Sequence, residues 1–169
     1  MLLKDKELDL IRIFVSIDDF CNELSVYLEK YPVQRKALGR FEGRMSISEI
    51  LSIIIFYHHS GYKCFQYYYL QMVEPELREY FPGLVSYKRF LTLIGKSAPH
   101  LYLLGKHQCL QYERTGIHYV DAKKLPVCDN RRINKHQTFR GLAARGYSST
   151  GWFYGLKLHL VINCVFQSI

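Results

Sequence analysis

Near the start of the chain, apolar residues recur at helical spacing. Leu8, Ile11, Val15, Leu24 and Leu28 alternate with acids and predict a helix over residues 5–30. Pro32 follows, and the basic stretch Gln34 to Arg44, with Gly39 and Gly43, reads as a loop. Ser46-Ile-Ser-Glu49 is a capping box in front of the apolar run 50–57 and predicts a helix over 47–59 that Gly61 ends. A tyrosine-rich helix is expected over 63–73, stopping near Pro75. Pro82-Gly83 reads as a turn, Ser86 as the cap of a helix to about Ile94, and Pro99 as the opening of another to about Glu113. Residues 1–114 therefore read as five or six short helices.

From Gly116 the pattern changes to strands. Ile117, Tyr119 and Val120 predict a strand over 117–121 that ends on Asp121, and a longer one is expected over 152–163. Along the second, Phe153, Gly155 and Lys157 alternate imperfectly with Trp152, Tyr154, Leu156 and Leu158, so Gly151 and Gly155 suggest a bulge or bend. The residues between the two strands are basic and glycine-rich and read as a loop. The expected fold class is α+β: a helical module over 1–115, then a strand-bearing domain over 116–169.

Composition adds a charge asymmetry. The 169 residues are 49% hydrophobic and 15% aromatic, ample for a core and against global disorder. The net charge is +8, yet residues 1–30 carry seven acids against four bases, a net of −3, which leaves about +11 for the remainder. That favours a polyanionic partner. The five cysteines form no CxxC pair, which argues against a structural zinc site. Their odd number and the lack of a signal peptide fit free thiols in a reducing cytoplasm. The apolar run 50–57 is too short to span a bilayer.

Asp121 is the first candidate for chemistry. A carboxylate at a strand end beside a basic loop suits a hard divalent metal that also binds phosphate oxygens. Taken alone, a strand-end aspartate is more often a turn cap or a partner for Lys123. Lys123, Lys124, Arg131, Arg132, Lys135, His136, Arg140 and Arg145, with Lys157, face only Asp121 and Asp129 as local acids. They read as a phosphate-binding surface to which Ser148, Ser149 and Thr150 add neutral donors, or as a solvated loop. The segment Gly-Leu-Ala-Ala-Arg-Gly lacks the P-loop pattern. The helices over 47–59 and 86–94 fit either a helix-turn-helix-like reader, with Lys88, Arg89 and Lys96 toward phosphate, or a plain bundle. Tyr67, Tyr68 and Tyr69 read as core and rim rather than as a stacking platform. The seven histidines show no ligand spacing, although His118 and His159 are candidate cross-strand neighbours.

The ordered blocks HYVDAKKLPVC, NRRINKH, FRGLAARG and STGWFYGLKLHLVIN resemble the start of the catalytic domain of bacterial insertion-sequence transposases of the DDE type. Together with SIDDFCNEL, SEILSIIIFYHHSGYKCFQYYY and FPGLVSYKRF, they look most like the family called insertion sequence nine-eighty-two. The resemblance implies a helical DNA-binding module followed by a ribonuclease H-like domain. It also implies Mg²⁺ or Mn²⁺ held by three acids, of which Asp121 matches the first. Such enzymes cleave transposon ends in double-stranded DNA and join the freed 3′-OH to target DNA. A nucleoid-associated protein and a possible homodimer follow from the same resemblance. Ala122 and Lys123 depart mildly from the small or hydroxylated residues usual after this acid.

In relatives the strand LKLHLVIN leads to a further strand and the second acid, whereas here Asn163 is followed by six residues without an acid. The expectation is a truncated or frameshifted transposase whose ribonuclease H-like domain is incomplete and which is inactive alone. The alternatives are a non-catalytic protein that occupies transposon ends and a decayed product without function.

Overall fold

A computed structural model describes residues 2–33, 38, 43–111, 118–137 and 139–163. The chain divides into two compact units, Met1–Gln111 and Tyr112–Ser168. The first is helical and the second is an antiparallel sheet, so the fold class is α+β.

The helical unit contains α1 (Leu2–Lys30), α2 (Ile47–Ser60), the single turn α3 (Phe65–Tyr68) and α4 (Tyr87–Gln111) among its described residues. The α2 start follows its local code. Ser46 Oγ accepts from the Glu49 N–H at 3.1 Å, and Glu49 Oε2 accepts from the Ser46 N–H at 2.6 Å, so two otherwise orphaned donors are satisfied. Gly61 ends the helix with φ 81°, a left-handed conformation open to glycine. Ser48 Oγ donates to Asp18 Oδ1 at 2.7 Å and ties α2 to α1.

Three features of this unit differ from the sequence expectation. The α1 helix forms, but its buried stripe is Leu10, Ile13, Ile17 and Phe20, while Leu8, Ile11 and Val15 are exposed and Leu24 packs half-buried against the core. Both sets have helical spacing, so periodicity alone could not choose the core face. The tyrosine-rich helix is one α turn that widens into a π-helical turn over Tyr69–Val73. The two helices expected around Pro99 are one helix, Tyr87–Gln111, with Pro99 inside it. Its core stripe of Phe90, Leu93, Ser97, His100 and Leu104 continues past the proline, which lies on the exposed side. The ring's usual clash is with the carbonyl four residues back, here that of Gly95, whose backbone is freer to tilt. The expected loop falls largely on residues 34–37 and 39–42, and the expected helix end on 112–113, outside the described residues.

Tyr68 and Tyr69 have no exposed surface and join Phe56, Phe81 and Phe90 in the core, as core tyrosines should. Their hydroxyls donate to Ile53 O at 3.1 Å and Val85 O at 2.5 Å. Burial pushes both phenols well above the usual tyrosine value, and Glu74 raises Tyr69 further. The folded unit therefore keeps both protons where an unfolded chain, titrating near pH 10, releases them. The stability they contribute is complete below about pH 10 and falls above it by about 2.7 kcal/mol per pH unit for the pair. Urea midpoints at pH 8 and pH 11 should differ accordingly; equal midpoints would contradict this burial.

The second unit contains β1 (His118–Cys128), a 3-10 helix (Asn130–Lys135), β2 (Ala144–Ser148) and β3 (Gly151–Asn163). The sheet is antiparallel, in the order β1-β3-β2. The first strand does not end on Asp121 but runs seven residues further. An edge strand tolerates Lys123, Lys124 and Pro126, which hide it from a hydrophobic reading. The expected loop contains the 3-10 helix and β2. In β2, Gly146 lies under the Phe153 ring, where an added Cβ would come within 2.9 Å of it. The irregularity suggested by Gly155 is present: the register shifts between Pro126 and Cys128, across from Gly155 and Tyr154.

Candidate nucleic-acid interface and metal carboxylate

Directly opposed residues of an antiparallel pair share a face. Asp121 opposes Leu160, Lys123 opposes Leu158 and Leu125 opposes Leu156, so one face carries an acid and a base among half-exposed leucines. The other face carries Ala122 opposite His159 and Lys124 opposite Lys157. His118 pairs with Asn163, so the two histidines are not cross-strand neighbours.

Asp121 is exposed, and its Oδ1 accepts from the Ala122 N–H at 2.7 Å. It is the fourth residue of a long strand, so it caps no turn. Asp129, the other acid of this region, is structural: it caps the 3-10 helix and accepts from the Arg131 N–H at 2.9 Å. Among the described residues, no three His, Cys, Asp or Glu side chains gather where they could hold a metal. An exposed carboxylate with an oxygen donor to spare suits Mg²⁺ or Mn²⁺ as a single ligand.

The cations fall into separate sets. Lys123 shares the Asp121 face, whereas Lys124 and Lys157 oppose each other on the reverse. Lys124 Nζ donates to Thr150 Oγ1, and Thr150 shares a 3.1 Å hydrogen bond with Ser148 Oγ. Like charges directly opposite are unfavourable without an anion between them. Arg131, Arg132 and Lys135 lie on the 3-10 helix and His136 follows as its cap. Arg140 bonds Gln137 at 3.2 Å, and Arg145 lies on β2 opposite Tyr154. Lys88 and Arg89 are exposed on the first turn of α4, in the helical unit.

Sequence reading missed β2 and the aromatic pair it makes. Tyr147 opposes Trp152, with ring centroids 5.3 Å apart and edge-on. The signal was present: two aromatics bracket Ser148-Ser149-Thr150-Gly151, a hairpin turn whose glycine has φ 103°.

Residues 111–167, about a third of the chain, match the family described as "Transposase DDE domain". The match spans the described sheet unit and supports a transposase of the DDE type. No curated protein and no solved structure matches the chain. Among the described residues, no helix is long and apolar enough to cross a membrane.

Proposed function

We propose that the chain acts on DNA as a DDE-type transposase, in which Asp121 is the first metal carboxylate and the sheet unit is the front of a ribonuclease H-like domain. The observation that carries this reading is the family match over a strand that presents Asp121 on one face with Lys123, in a segment with eight lysines and arginines. When bound, Mg²⁺ or Mn²⁺ supplies activation of the attacking oxygen and stabilises the leaving one. Asp121 offers one oxygen ligand, Lys123 on the same face neutralises phosphate charge, and the 3-10 helix bases hold the neighbouring backbone.

The subfamily reading, insertion sequence nine-eighty-two, rests on the sequence blocks over both units. With it goes a DNA-binding role for the helical unit through Lys88 and Arg89. The acids after residue 113 are Asp121 and Asp129, and Asp129 is engaged as a cap. A two-metal centre therefore needs carboxylates from outside residues 114–169. The second reading is a non-catalytic occupant of transposon ends, for which the basic surface alone suffices. Titration of transposon-end duplex into the chain with Mg²⁺ tests both. Binding that weakens steeply with salt, without strand cleavage, is expected; salt-insensitive or absent binding would overturn the DNA reading, and cleavage would overturn the single-carboxylate reading.

A further inference from the structure

Between the 3-10 helix and the β2–β3 hairpin lies a cleft of about 350 Å³, lined by Asn130, Ile133, Arg145, Trp152 and Phe153. Its floor is fixed: Phe153 is buried against Gly146, and Asn130 Nδ2 donates to Trp152 O at 3.0 Å, which ties the strand to the helix. Its Trp152 side is open: Trp152 is 69% exposed, with Tyr147 edge-on beside it. The Trp152 ring is therefore a large flat surface within reach of a ligand. The surroundings say what that is. Arg145 lines the cleft, and Arg131, Arg132 and Lys135 stand on the adjoining helix, while Asp129 is occupied as its cap.

Flat apolar surface beside several cations matches one chemistry, a nucleobase attached to its phosphate. Bases inside a duplex are already stacked on both faces, so the occupant is an unpaired base. We propose that this cleft stacks an unpaired nucleobase of single-stranded DNA on Trp152, whose ring Tyr147 props edge-on, with Arg145 and the 3-10 helix bases on the flanking phosphates. The site is distinct from Asp121, whose partner Leu160 is eight residues along β3 from Trp152. It rests on the DNA reading above.

Trp152 is the chain's only tryptophan, so its emission reports this cleft directly. Oligothymidylate and a duplex of equal length are titrated into the full chain, with affinity read separately by anisotropy of labelled DNA. Expected results are quenching by the single strand and a loss of single-strand affinity of roughly 5- to 150-fold in Trp152→Ala, with duplex affinity unchanged. Trp152→Phe keeps a flat ring and should retain most of the affinity, which separates stacking from misfolding. Single-strand binding with unaltered emission, or equal losses in the Phe and Ala variants, would overturn the proposal. Binding of neither DNA form would instead overturn the DNA reading itself.

Discussion

Replacing Gly155 by alanine is expected to unfold the sheet unit while leaving the helical unit intact. Gly155 sits on the central strand and pairs with Pro126 on β1 and Ala144 on β2. An added Cβ would lie 2.1 Å from Leu125 O and 2.9 Å from Pro126 Cα. Both are backbone atoms, so no side chain can swing aside. Relief requires β1 to shift where its register already slips between Pro126 and Cys128. Overpacking of this severity costs about 3 kcal/mol or more, a large share of what a small three-stranded unit can hold. Trp152 lies in this unit and is the only tryptophan, so its emission follows the sheet alone. The variant should lose the Trp transition on heating while helical circular dichroism melts as in the wild type. An unchanged Trp midpoint would contradict the close approach of β1 and β3 at this position.

DNA affinity should fall about 10³-fold between 50 and 200 mM salt. Each phosphate neutralised contributes about −0.9 to the slope of log K against log salt, so six contacts give about −5.4. The sheet unit supplies enough candidates: Lys123, Lys124, Arg131, Arg132, Lys135, Arg140, Arg145 and Lys157, with Lys88 and Arg89 in the helical unit. Lys124 and Lys157 oppose each other, and among the described residues no acid pairs with either, so a phosphate there relieves their repulsion. Exchanging both for glutamine should lower the slope by nearly two. A slope near zero would mean that these side chains do not meet phosphate.

Local signals were the legible ones. The Ser46–Glu49 box and Gly61 define α2 because capping acts within one turn and needs no tertiary partner. The helical character of α1 was equally plain, but its core face was not, since Leu8, Ile11 and Val15 repeat with the same period as Leu10, Ile13 and Ile17. Pro99 misled because proline breaks helices on average, whereas here a stripe of buried residues on both sides of it holds one helix together. The sheet was half legible. The β3 strand announces itself with Phe153 to Ile162, but β1 is an edge strand whose lysines look like loop, and β2 is five residues with a glycine at its centre. Asp121 stood out as a carboxylate at an expected strand end beside a basic loop, and its setting, inside a strand and opposite Leu160, came only with the register. The aromatic cleft depends on β2 pairing with β3 and could not be read without it.

The central claim is that Asp121 holds a divalent metal beside bound DNA. Paramagnetic broadening by Mn²⁺ tests it most directly, read on the amide signals of the chain bound to transposon-end duplex. Broadening centred on Asp121, Ala122 and Lys123, and lost in Asp121→Asn while DNA affinity is kept, is the expected result. Broadening centred elsewhere, or unchanged in Asp121→Asn, would contradict the account.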